Sequence, residues 1–262
     1  IGDRSALQQA EQLGMEILLP PERACREYVT EDIEIDLDNR LYPHQREGVL
    51  KAAAWGRAMI GDEMGVGKSA QGIALMKHFG GRALVVCPSY LCKNWIRECA
   101  FWHPDLDVDV VKKTVPEHSC VISYDLTHRR ELGRFNVLIL DESHYIKNKS
   151  AKRTKALMRL ARMTPHVFLL TGTPAPNKPV ELWTQLAAIM GVNRIGTYTS
   201  FTRRYCGAKQ SPLGFVDVSG ATNRRELAWF MKNTCLIRRL KRDVLQDLPK
   251  KTRCTLEVDV AQ

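Results

Sequence analysis

The sequence predicts an α/β domain, a mostly parallel central sheet flanked by helices. Three observations carry that expectation. Six short runs rich in Val, Ile and Leu hardly alternate in polarity, the pattern of strands covered on both faces. Helix-length stretches separate several of these runs, which makes βαβ units. Motifs bearing glycine, carboxylate and hydroxyl groups follow directly on three of the runs, at the strand ends where such sheets bind ligands.

In chain order, the expected strands are Ala58-Met59-Ile60, Ala83-Leu84-Val85-Val86-Cys87, Val108-Asp109-Val110-Val111, Cys120-Val121-Ile122, Val137-Leu138-Ile139-Leu140 and Val167-Phe168-Leu169-Leu170. Helical patterns cover 70–79, 94–102 and 151–161. Residues 1–40 read as an accessory segment, helix-like at first, broken at Pro20-Pro21 and alternating over Ile33-Glu34-Ile35-Asp36-Leu37. Residues 41–258 read as one domain.

A chain of 262 residues buries roughly 70–75% of its unfolded surface, so its core needs neither staple nor metal. Apolar and charged contents of 44% and 26% are those of a soluble protein. No apolar run approaches the roughly 20 residues of a membrane span, so no membrane partner is expected. The start, Ile1-Gly2-Asp3-Arg4, has neither a signal peptide's apolar stretch nor a methionine, as in a chain cut from something longer.

The net charge of +10 is uneven: residues 1–40 carry −6 and residues 193–262 carry +8. A basic body fits a polyanion partner, and an ordinary basic surface fits as well. The eight cysteines form no C-x-x-C pair and none stands near a histidine at zinc-finger spacing. Free thiols in a reducing, intracellular compartment are expected, with no structural zinc.

After Ala58-Met59-Ile60 comes Gly61-Asp62-Glu63-Met64-Gly65-Val66-Gly67-Lys68-Ser69 and then a helix. Glycines let a backbone fold round phosphates with its N–H groups pointing inward at a helix N-terminus. Lys68 then reaches the β- and γ-phosphates, and the Ser69 hydroxyl is placed for Mg²⁺. The general phosphate-loop pattern has glycine where this chain has Asp62.

The run Val137–Leu140 leads into Asp141-Glu142-Ser143-His144, which puts two carboxylates at the sheet edge beside the phosphate loop. Asp141 suits Mg²⁺ and Glu142 suits an attacking water. His144 is a candidate sensor of the γ-phosphate. A third strand ends in Thr171-Gly172-Thr173-Pro174, whose hydroxyls are candidates to bond the carboxylates and report the nucleotide state.

These blocks, in this order, resemble superfamily 2 helicases and, more narrowly, the Snf2 family of DNA translocases; the resemblance runs from about Leu41 to Val258. Tyr42-Pro43-His44-Gln45 resembles the adenine-reading Q element, with Gln45 against the base. Gly61–Ser69 resembles motif I, where Snf2 members also carry D-E-M-G-x-G-K, which accounts for Asp62. Position 69 is Ser where the family usually has Thr. Val85–Trp95 resembles motif Ia, Val121–Asp125 motif Ib, Asp141–His144 the D-E-S-H form of motif II, and Thr171–Pro174 motif III. The segment Ile237–Leu245 with Leu248-Pro249 resembles the end of the first motor lobe. Arg204–Lys209, Gly220–Asn223 and Leu248–Lys251 look like the annealing-helicase branch.

The resemblance implies a RecA-like P-loop NTPase fold, the first lobe of an ATP-dependent DNA translocase of the fork-remodelling type. It implies ATP and Mg²⁺ as ligands, with Gln45, Met64, Gly65, Val66, Gly67, Lys68 and Ser69 holding the nucleotide. Lys68, Asp141 and Glu142 are then catalytic, Ser69 and Asp141 serve the metal, and His144, Thr171, Gly172 and Thr173 couple hydrolysis to movement. Ser89, Lys93, Ser123 and Tyr124 are the expected contacts to the DNA backbone, without sequence preference. Nothing resembles the second lobe, which supplies arginines to the γ-phosphate in such motors, so the isolated lobe is expected to hydrolyse ATP weakly. Two other readings remain: a chromatin-remodelling ATPase and a non-catalytic ATP-dependent DNA-binding module. The compartment implied is intracellular, nuclear in a eukaryote. Trp95 is expected in the core, on one helical face with Cys99 and Trp102. The doublets Arg238-Arg239 and Lys241-Arg242 are either a DNA track or a solvated helix surface.

Overall fold

The structure, a computed structural model, describes residues 35–175, 177–210 and 215–244. Most of the accessory segment, and the family-like stretch from Leu245 onward, lie outside the described residues.

The described chain begins with α1 (Pro43–Trp55), β1 (Arg57–Ile60), α2 (Lys68–Phe79), β2 (Ala83–Cys87), α3 (Cys92–Trp102) and β3 (Val108–Val110). Next come β4 (Ser119–Ser123), β5 (Val137–Asp141), α4 (Lys152–Met163), β6 (His166–Leu170), α5 (Leu182–Met190), α6 (Val192–Ile195) and α7 (Tyr198–Tyr205). A ribbon of β7 (Lys209–Gln210) and β8 (Val216–Asp217) precedes α8 (Arg224–Thr234), β9 (Leu236–Ile237) and α9 (Lys241–Val244).

Seven of the described strands form one sheet in the order β3-β4-β2-β5-β6-β1-β9, and every pairing in it is parallel. The six expected strands are all present, within one residue at either end. Among the described residues only the small β7–β8 ribbon is antiparallel. Two apolar layers sandwich the sheet, and successive strand residues feed them in turn. Leu138 and Leu140 of β5 join Leu157 of α4, Leu186 of α5 and Phe201 of α7. Val137 and Ile139 join Val49 of α1, Ile73 of α2 and Trp95 of α3. Each such aliphatic side chain contributes roughly 1.5–3 kcal/mol by its burial, so the two layers explain why these strands show so little polar alternation.

The helix starts follow local rules. Pro43 occupies the first turn of α1, where its missing N–H costs nothing. Gly56, at φ 67°, ends that helix in the left-handed conformation and turns the chain into β1. At the start of β1, the Arg57 guanidinium donates to the Ala161, Thr164, Ala188 and Ile189 carbonyls. One cation thus caps the ends of α4 and α5 together.

The parallel order places β6 between β1 and β5, with Leu170 beside Ile60 on one side and Asp141 on the other. The loops after these three strands therefore share one sheet edge, where the candidate site lies.

Candidate nucleotide site

The loop after β1 is held open by its glycines. Gly65 and Gly67 have φ of 79° and 85°, values an L side chain rarely adopts. Gly67 is also the residue before α2, and a methyl group there would collide with Gln45 Nε2. Lys68 opens α2, and its ammonium donates to the carbonyls of Asp62 at 2.9 Å and Glu63 at 3.3 Å. Burial lowers the Lys68 pKa, while the Glu142 and Asp141 carboxylates act to raise it. The cation of the loop and both carboxylates therefore share one electrostatic neighbourhood. Ser69, in the first turn of α2, is half-buried, and Met64 is exposed at the loop's tip.

Asp141 ends β5 and is buried. Its Oδ2 accepts the Trp95 indole N–H at 2.8 Å, and its Oδ1 accepts the Glu142 amide at 2.9 Å. Burial raises its pKa, and the Trp95 bond pulls the other way. Glu142 stands at φ 51°, a left-handed conformation that costs a non-glycine residue about 1–3 kcal/mol. Glu142 Oε2 is buried without a hydrogen bond, and so is His144 Nδ1. The two atoms lie 3.3 Å apart, an ion pair when the imidazole is protonated, although without hydrogen-bond geometry.

Gln45 does more than sequence reasoning assigned to it. Its Oε1 accepts the Tyr42 amide and its Nε2 donates to the Val66 carbonyl, so it braces the phosphate loop. His44 Nε2 also lies 3.3 Å from the Val66 oxygen.

Three expectations are corrected. Tyr124 is 1% exposed, its hydroxyl donates to the Asp141 carbonyl at 2.8 Å, and its ring stacks on Tyr145. A side chain enclosed in that way supports motif II from behind and is closed to DNA. Ser89 and Lys93 are exposed and Ser123 is half-buried, all at the carboxyl ends of β2 and β4. Second, the Thr171 hydroxyl accepts the Thr173 amide. Among the described residues no hydrogen bond joins either threonine to Asp141 or Glu142. The link runs instead through Gln185 of α5, which is fully buried. Its Oε1 accepts the Ser143 hydroxyl at 2.7 Å, and its Nε2 donates to the Pro174 carbonyl at 2.6 Å. Nothing in the sequence near Gln185 signals this role.

The third correction concerns the arginine doublet. Arg239 is paired with the fully buried Asp62, and Arg238 donates to the carbonyls of Gly61 at 2.7 Å and Gly172 at 3.2 Å. Both arginines thus fasten the loop after β1: Arg239 is half-buried in its pair with Asp62, while Arg238 stays exposed and bridges Gly61 to Gly172. The Lys241 amide donates to Glu63, and its ammonium lies over Gly65. Trp95 is in the core as expected, and its indole also positions Asp141. The six described cysteines are free and buried. Among the described residues there is no cluster able to hold a metal through histidine, cysteine and carboxylate groups, and no helix is long and apolar enough to cross a membrane.

A glycine-bent loop at a helix N-terminus, facing paired carboxylates across one edge of a parallel sheet, defines a P-loop α/β domain. The family model described as SNF2-related domain matches residues 44–262, and the chain belongs to that family. Among curated proteins it is 37% identical over 234 residues to the Xenopus laevis SWI/SNF-related matrix-associated actin-dependent regulator of chromatin subfamily A-like protein 1, covering 84% of this chain and 24% of that one. It is 36% identical over 247 residues to the Mus musculus DNA annealing helicase and endonuclease ZRANB3, covering 86% of this chain and 23% of that one. The chain thus spans about a quarter of the length of these relatives. The Sulfolobus solfataricus SWI2/SNF2 ATPase core in complex with dsDNA shares the fold, with a TM-score of 0.67 at 23% identity over 83% of this chain and 48% of that chain.

Proposed function

We propose that this chain is the ATP-binding motor lobe of a DNA translocase of the annealing-helicase, fork-remodelling type. The observation that carries the reading is the grouping of Lys68, Asp141 and Glu142 in one electrostatic neighbourhood at the sheet edge. Family membership and the names of the relatives support it. A nuclear location follows the same relatives.

The residues fit Mg-ATP. The Glu142 Oε2 atom is orphaned and buried, Asp141 is raised in pKa by burial, and the loop turns on glycines at positive φ ahead of the α2 N-terminus. Lys68 leaves its loop carbonyls to bind the β- and γ-phosphates, and the loop amides at the start of α2 complete the cradle. Asp141 and the Ser69 hydroxyl would hold the metal, which would supply positive charge against the phosphate oxygens. Glu142 orients the attacking water and takes its proton at Oε2. His144, 3.3 Å from that oxygen, senses its state. The Ser143–Gln185–Pro174 chain carries the change to the loop of Thr171, Gly172 and Thr173. Ser89, Lys93 and Ser123 hold the DNA backbone. A second lobe, outside these residues, brings arginines worth about 10³–10⁵ in rate, so the lobe alone binds better than it hydrolyses.

The test uses the full-length parent protein. Calorimetric ATP titration and turnover with and without DNA are measured for wild type and Lys68→Ala. Tight ATP binding and DNA-stimulated turnover, both lost in the variant, support the reading. Unchanged turnover in the variant refutes it. Stimulation by nucleosomes far above that by forked DNA replaces it with the chromatin-remodelling alternative.

A further inference from the structure

We propose that α4 and the groove beside it form a second binding surface for the sugar–phosphate backbone of DNA, continuous with the face that carries Ser123. The proposal rests on the translocase reading above and adds a site to it.

The helix Lys152–Met163 carries five cations and no acid. Lys155, Arg159 and Arg162 fall four and three residues apart, which lines them along one ridge. All three are exposed, and among the described residues none has a hydrogen bond or an ion pair. Like charges at this spacing repel one another, so the row does nothing for the helix that holds it. It serves a polyanion outside.

Beside the ridge runs a groove of about 380 Å³, lined by these three cations and by Lys149, with Trp183 in its wall. Among the described residues no carboxylate lines it. The Lys149 ammonium stands 3.5 Å from the centre of the Tyr198 ring, at the groove's border. The Thr184 hydroxyl also lines the groove, 1% exposed and without a partner.

The groove is joined to the expected DNA face. Arg153, in the first turn of α4, donates to Asp125 at 3.4 Å and to the Tyr145 carbonyl at 3.2 Å. Asp125 follows Ser123 by two residues, so a strand leaving Ser123 meets the top of α4 next. That continuity, with an exposed row of cations rather than an enclosed pocket, favours DNA over an acidic peptide. The contacts are sequence-independent and salt-sensitive. Such a site holds the second arm of a branched substrate while the first lies on the Ser89–Lys93 face.

The test again uses the full-length protein, with two probes: a short blunt duplex, and a fork made of that duplex plus a second arm. The triple variant Lys155→Gln, Arg159→Gln, Arg162→Gln keeps good helix formers. It is expected to bind the fork about tenfold more weakly, and to lower the slope of log affinity against log salt by about 2–3. Affinity for the short duplex stays unchanged. Arg159→Gln alone lowers the slope by about 1, which guards against a folding defect in the triple variant. Lys93→Gln weakens both probes. Fork affinity and slope identical to wild type in the triple variant overturn the proposal. So does a polyglutamate peptide that binds the ridge while fork binding is untouched by the substitutions. A wild-type protein that binds neither probe refutes the translocase reading itself, a result distinct from loss of the second site.

Discussion

Arg239 grips Asp62 with two nearly parallel bonds, Nε to Oδ1 at 3.0 Å and Nη2 to Oδ2 at 2.7 Å, and its own backbone amide adds a third at 3.0 Å. Asp62 is fully buried, and Gln71 of α2 donates to it as well. The residue that departs from the general phosphate-loop pattern is thus the anchor for a segment 177 positions further along the chain.

Removing one partner of such a pair leaves a buried charge uncompensated. Arg239→Met is expected to destabilise the chain by about 3 kcal/mol, at the low end for buried pairs because Gln71 and the backbone amide still donate. Urea denaturation checks this: the midpoint falls and the slope is unchanged.

Asp141→Asn should gain stability relative to the nucleotide-free wild type as pH rises, while abolishing turnover. Burial raises the Asp141 pKa above its ordinary value of 3.8, so the folded chain holds that proton more tightly than the unfolded one. Its favourable contribution is present below 3.8 and is lost as pH rises through the raised value. Asn has one acceptor for the two N–H groups of Trp95 and Glu142, which sets a fixed offset between the proteins. On top of that offset, the wild-type melting temperature should fall relative to the variant's as pH rises from below 3.8 toward 7. Adding Mg²⁺ should reverse that relative fall from the wild-type side only.

Glu142→Gln keeps the shape of the turn and loses the base. Turnover by the full-length protein should fall by about 10²–10⁴, with ATP binding retained in a filter assay. Normal DNA-stimulated turnover in this variant contradicts the role given to Glu142.

Gln185→Leu cuts the tie between Ser143 and Pro174 and leaves two buried polar atoms without that partner. A loss of about 1–3 kcal/mol is expected. The diagnostic readout is kinetic: ATP still binds, but stimulation by DNA is lost. A variant that melts early yet keeps full stimulation assigns Gln185 a purely structural part.

The strands and the phosphate-binding motifs were legible because they rest on local chemistry. A buried parallel strand leaves an unbroken apolar run, and Gly65, Gly67, Lys68, Asp141 and Glu142 are spelled out beside two of them. Tertiary pairings left no such trace. β9 is two residues long and owes its existence to β1, so no periodicity announces it. Tyr124 follows a strand that points it back beneath Asp141, a direction set by the sheet and not by the motif. The Arg238–Arg239 doublet reads as surface charge until Gly61, Gly172 and Asp62 are seen to meet it.

The short β9 also has a mechanical consequence. It runs parallel to β1, and Ile237, Arg238, Arg239 and Lys241 are tied in succession to Gly61, Asp62 and Glu63. Tension applied at α9 along the strand axis meets those bonds in shear, several at once, so the segment resists sliding and hands the strain to the glycine-bent loop after β1. A body hinged at α9 is thereby geared to that loop: where it sits and how tightly the loop is wound become one variable.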